Sequence, residues 1–205
     1  MIYIITGEKN AGKTRYIIEM IKSMKRTDGF ITVKNMDKGK FVGYNIMRVL
    51  TGEKVPFIRY NKKLLKEDDI LLEHKSKMFF LKKGYNFAKK ILFEAKKMKL
   101  ENFIIDEIGE LELEGKVFSE ILEEAINSFN NVYITVRSDF VDKVIKKFKI
   151  KDYKIITIER REDDRLENKK GKQVEDSKEV QGEGNNNTNI EGTKKPSVSK
   201  RRNKK

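Results

Sequence analysis

Two stretches of the sequence combine residue types and spacing suited to phosphate chemistry. The first, Gly7-Glu8-Lys9-Asn10-Ala11-Gly12-Lys13-Thr14, fits every fixed position of the P-loop pattern. Glycines let a backbone wrap an anion with no Cβ in the way. The N–H groups of such a loop converge as a nest, and the first turn of a following helix adds unpaired N–H groups and its positive dipole end. Lys13 then reaches the β- and γ-phosphates as a point charge, and Thr14 offers its hydroxyl to Mg²⁺. The second stretch is Asp106-Glu107, which ends the apolar run Phe103-Ile104-Ile105. An Asp at the end of such a strand holds Mg²⁺, usually through water. A Glu directly after it can orient and deprotonate an attacking water. Lys13 and Glu107 are therefore the candidate catalytic residues, Gly7 to Thr14 the nucleotide-binding set, and Thr14 with Asp106 the metal-binding pair.

Two weaker patterns add charge to the picture. Arg137 follows the apolar run Val132–Val136, which puts it at the edge that faces ligands in open α/β sheets. A cation there can offset charge on a transferring phosphoryl group, an effect worth ~10³-fold or more. A solvated arginine at a helix start has the same local pattern. With one histidine and no cysteine, neither a histidine-based triad nor a thiolate zinc site can be built. The aromatics Phe79, Phe80, Tyr85 and Phe87 fit core packing better than base stacking.

These residues need a scaffold, and the hydrophobic pattern supplies one. Ile2–Thr6 is a short apolar run ending at a glycine, hence a buried strand. Ile17, Met20, Ile21 and Met24 recur at helical spacing after the cradle. Phe30–Val33, Phe103–Asp106, Val132–Val136 and Lys154–Ile158 read as further strands. Helices are expected around Ala88–Met98, Phe118–Phe129 and Val141–Phe148. Residues 34–82 read as irregular, with short β-like pieces at Phe41–Ile46, Pro56–Arg59 and Lys77–Leu81. Strands without in/out alternation, separated by helices, imply a mostly parallel central sheet with helices on both faces.

The chain has 205 residues, 38% of them hydrophobic and 38% charged, enough apolar material for one domain but not for the whole length. The domain is expected over residues 1–165. Residues 166–205, rich in Lys, Glu, Asn, Gly and Ser, read as a disordered tail, because so little apolar surface cannot offset the entropy of ordering. That tail holds 11 Lys/Arg against 6 Asp/Glu, a net +5, which leaves +9 of the total +14 on the rest. Its basic end, Lys194–Lys205, is a candidate contact for RNA or another polyanion. The absence of cysteine fits a reducing compartment, and no apolar run reaches the ~18 residues of a membrane span. The expectation is a cytoplasmic monomer away from membranes.

The stretch Asp106-Glu107-Ile108-Gly109-Glu110-Leu111-Glu112-Leu113 resembles the signature of a small P-loop nucleoside-triphosphatase family. That family was first named for thermophile members and includes the human cancer-related nucleoside triphosphatase. Gly29-Phe30-Ile31-Thr32, Gly39-Lys40-Phe41-Val42-Gly43-Tyr44 and Ile158-Glu159-Arg160-Arg161 resemble further family blocks, so the likeness runs from about Ile2 to Arg161. It implies a RecA-like α/β fold and Mg²⁺-dependent hydrolysis of ATP, GTP and related triphosphates. It also implies that Arg161 lies near the nucleotide. The chain departs from the family pattern at Lys34, where an acid is usual, and at Met36 and Phe41, where arginine is usual. Two other functions share the scaffold: a small-molecule or nucleotide kinase, and a nucleotide-dependent nucleic-acid-binding protein.

Overall fold

The computed structural model describes residues 1–74 and 77–160. Arg161 and the tail 166–205 lie outside the described residues. In chain order, β1 (Ile2–Gly7) runs into α1 (Lys13–Ile21), and β2 (Thr27–Asp37) opens a series of β3 (Lys40–Arg48), β4 (Lys54–Arg59), β5 (Ile70–His74) and β6 (Met78–Leu81). Then follow α2 (Lys82–Lys97), β7 (Asn102–Ile108), the short α3 (Glu110–Leu113) and α4 (Ser119–Ser128). The described fold closes with β8 (Asn131–Arg137), α5 (Val141–Lys147) and β9 (Tyr153–Thr157).

All nine strands form one sheet in the order β5-β6-β4-β3-β2-β7-β8-β1-β9. The pairings from β2 through β7, β8 and β1 to β9 are parallel. These are the strands whose apolar runs predict burial on both faces, and the expected α/β architecture is present. Residues 34–82 build four antiparallel strands that extend the sheet beyond β2: the expected β-like pieces at Phe41–Ile46, Pro56–Arg59 and Lys77–Leu81 fall in β3, β4 and β6, while β5 corrects the irregular reading between them.

Two cores lie on opposite faces. On one, α1 sets Ile17 against Ile5, Ile31 and Ile104. The larger core lies under α2, α4 and α5, where Ala88, Ile91, Leu92 and Ala95 of α2 make the buried stripe of an amphipathic helix. Each Ile or Phe so buried stabilises the fold by about 1.5–3 kcal/mol. A buried ion pair joins the two halves of the sheet. Arg48 on β3 donates through Nε to Asp28 Oδ2 at 2.8 Å, and its other end pairs with Glu94 on α2. Asp28 is fully buried and also accepts from the backbone N–H of Gly29 and Leu50.

Candidate active site

The cradle hangs between the end of β1 and the start of α1. Gly7 cannot carry a side chain, because a Cβ there would sit 2.4 Å from the Ile158 carbonyl oxygen. Gly12 has φ of +98°, a left-handed geometry that admits glycine and turns the chain into α1. Lys13 is buried, and its Nζ donates to the carbonyls of Gly7 at 3.0 Å and Glu8 at 2.9 Å. These bonds hold the ammonium within the curve of the loop.

Asp106 lies at the centre of four elements. Its carboxylate accepts from Thr14 Oγ1 at 3.0 Å (Oδ2) and 3.2 Å (Oδ1), which joins α1 to β7. Thr135 Oγ1 on β8 donates to Oδ1, and the Thr32 N–H on β2 donates to Oδ2 at 3.3 Å. Thr32 Oγ1 donates to the Asp106 carbonyl at 2.6 Å. The side chain is 2% exposed. Burial pushes its pKa up, while hydrogen bonds from Thr135, Thr32 and Thr14 and the charge of Lys13 pull it down. The predicted metal pair is thus in direct contact. Among the described residues no group of three or more His, Cys, Asp or Glu could hold a metal ion alone. One carboxylate and one hydroxyl fit Mg²⁺, which takes its remaining ligands from water and substrate phosphates.

Glu107 stands at the open end of β7. Desolvation pushes its carboxyl up, and the Lys13 charge acts in the opposite direction. Arg137 also feels the Glu107 charge, but its guanidinium is bound to Asp139, with Nε–Oδ1 at 3.1 Å, and lies over the Phe140 ring at 4.7 Å. Arg137 sits beside the site but is held by a local partner, and Arg161 lies outside the described residues. Phe79, Phe80 and Phe87 are buried in the core.

Several residues near this centre escape a reading of spacing alone. Thr32 and Thr135 lie within the strand runs Phe30–Val33 and Val132–Val136, and only the strand order brings both to Asp106. Thr32 did stand in a block that resembles the family; Thr135 left no such signal. Glu112 is 5% exposed and ties the turn after Glu107 to the start of α4. Its Oε2 accepts from the Gly109 N–H at 2.8 Å and its Oε1 from the Phe118 N–H at 3.3 Å. Burial pushes its pKa up to about 7. A cleft of about 440 Å³ opens beside the cradle, with Gly12, Arg15, Tyr16 and Glu19 on one side and Ile158 and Glu159 on the other.

Comparison with known proteins agrees with this geometry. The chain is similar to the nucleoside-triphosphatase THEP1 of Methanocaldococcus jannaschii, 29% identical over 169 residues, covering 79% of this chain and 91% of the relative. It is also similar to the THEP1 of Aquifex aeolicus, 28% identical over 155 residues, covering 73% and 84%. The crystal structure of THEP1 from Aquifex aeolicus matches with a TM-score of 0.52 at 27% identity, covering 80% of this chain and 92% of that one. Among the described residues no helix is long and apolar enough to cross a membrane. The family model described as NTPase matches residues 2–169, and the chain belongs to that family of nucleoside triphosphatases.

Proposed function

We propose that the chain hydrolyses ATP- and GTP-type triphosphates to diphosphate and phosphate with Mg²⁺. The observation that carries this is the direct Thr14–Asp106 contact next to the buried Lys13 and the open Glu107. When bound, Mg²⁺ supplies charge neutralisation at the β- and γ-phosphate oxygens. The N–H groups of Gly7 to Thr14 and the Lys13 ammonium grip the phosphates. Thr14 and Asp106 would hold the metal. Thr32 and Thr135 keep the Asp106 carboxylate oriented, a supporting role of the kind that metal sites need. Glu107, whose carboxyl burial pushes up, takes a proton from the attacking water. Arg137, whose charge acts on Glu107, is one candidate to offset charge on the transferring phosphoryl group, and Arg161 is a second.

Residues 1–165 are the catalytic unit in this reading, acting as a monomer in the cytoplasm, with the tail 166–205 dispensable for turnover. The experiment is turnover of γ-labelled triphosphates with Mg²⁺, with and without small-molecule acceptors. Label released as free phosphate supports hydrolysis. Label transferred to an acceptor would make the chain a kinase instead.

A further inference from the structure

We propose that the β2–β3 hairpin and the segment just after β4 form a binding site for single-stranded nucleic acid beside the hydrolytic centre. Three side chains carry the observation. Phe41 is 44% exposed, Tyr60 39% and Met36 54%, an unusual concentration of open apolar surface in so charged a chain. They are neighbours. Met36 pairs with Phe41 across the hairpin, and Phe41 packs against Tyr60 with ring centroids 5.6 Å apart. Phe41 also meets Tyr44 edge-on at 5.1 Å. A register shift between Asn35 and Met36 marks a bulge, which bends the end of the hairpin away from the regular ladder.

Cations frame these rings. Lys34, Lys38 and Lys40 are exposed along the hairpin, opposed there only by Asp37. Lys62 and Lys63, both exposed, follow Tyr60, and Lys62 is paired with Glu73 at 3.1 Å. Open rings set between lysines suit one ligand that brings flat faces and repeated negative charge together. A nucleic-acid strand does this: its bases stack on aromatic rings whatever their identity, and its phosphates meet the lysines. A double helix keeps its bases stacked on one another and cannot offer them to Phe41 and Tyr60. The site also borders the chemistry. Tyr44, which touches Phe41, pairs across the hairpin with Lys34, two residues along β2 from the Thr32 N–H that donates to Asp106.

This inference goes beyond triphosphate hydrolysis and does not depend on it, since binding is read without nucleotide. The probe is a labelled oligo(dT) or oligo(U) of about ten nucleotides, titrated with the full chain and followed by fluorescence anisotropy. We expect Phe41→Ala/Tyr60→Ala to weaken binding about tenfold or more. Phe41→Tyr/Tyr60→Phe, which keeps both rings, should bind as the parent does. Lys34→Ala/Lys40→Ala should make the dependence of log affinity on log salt shallower by about 1.4. Triphosphate turnover should be unchanged in all three, which also reports that they fold. Equal binding by the parent and the ring-deleted chain overturns the proposal, because the affinity then sits elsewhere, as on residues 166–205. No binding by the parent at about 50 mM salt overturns it too. Ring-dependent binding in a chain without turnover supports the site and counts against hydrolysis alone.

Discussion

β2 pairs in parallel with β7 only as far as Phe30, and from there to Asp37 it pairs with β3 in the opposite sense. The sheet changes character at that point. On the parallel side, β1, β7 and β8 are largely apolar and carry at or near their ends Gly7, Asp106 and Arg137, the groups proposed to act on the phosphates. On the antiparallel side, Ile46, Val55, Phe57 and Phe80 face one core, while lysines and open aromatic rings occupy the outer surface and the hairpin end. The difference follows from covering. Strands packed under helices on both faces have no room for mobile side chains, so a carboxylate there is held by three neighbours. A half-covered antiparallel sheet can vary its outer face freely, which suits contact with a large or changeable ligand.

The sharpest way to test this division is to remove function from the parallel side and nothing from the other. Lys13→Ala should lower kcat by about 10³-fold or more, because a buried ammonium aimed at the phosphates acts in a water-poor setting. Steady-state turnover, with circular dichroism to check the fold, decides it; an unchanged kcat would remove the cradle from the mechanism. The reverse test strikes the joint between the halves. Arg48→Ala strands the buried Asp28 carboxylate and should cost about 3–5 kcal/mol of stability in urea unfolding. A loss under about 1 kcal/mol would mean that the extension is held by its apolar contacts alone.

Glu107→Gln keeps the shape and removes the base, so kcat should fall about 10²–10⁴-fold with KM little altered. A collapse in affinity with kcat preserved would make Glu107 a structural or metal-holding residue. The smallest effect concerns Glu112. Its folded pKa, about 7, lies above its ordinary value of 4.5, so the folded chain binds more protons than the unfolded one between those pH values. Its stabilising contribution is therefore fully present below about pH 4.5 and is lost as pH rises through about 7, at no more than about 1.4 kcal/mol per unit. Glu112→Gln should flatten that part of the profile of Tm against pH. A difference profile with no slope in this window would show that the carboxyl titrates as an ordinary glutamate.

How much of this could be read from the chain depended on distance along it. Gly7 to Thr14 is legible because every contact that shapes a phosphate cradle lies within one loop and one helical turn. The parallel strands are legible because burial on both faces leaves unbroken apolar runs. In the extension the runs within β3, β4 and β6 were legible as short β-like pieces, but β5 was not, because it alternates half-buried with exposed positions, a pattern that also describes a loop. Thr135 was silent for another reason. Its value lies in facing Asp106 from the next strand, and strand order is a property of the whole sheet. The Arg137–Asp139 pair lies only two residues apart, and the arginine pattern after β8 fits such a local partner as well as a role at the phosphate.

The position of β1 has a consequence for the birth of the molecule. Ile2–Gly7 is registered on Val132–Arg137, and Ile2–Thr6 on Tyr153–Thr157. The first strand of the described chain is thus flanked by its last two. At about 5–20 residues per second, a ribosome takes roughly 6–25 s to supply even the nearer partner. Until then the strand that carries the loop lacks both of its sheet neighbours, and pairing so distant in sequence is slow to close. The extension, joined by short local turns, has no such wait. The nascent chain should therefore become able to grip a triphosphate only when synthesis has passed Thr157. Ribosome-bound chains of increasing length would reveal this as a late, abrupt gain of nucleotide crosslinking.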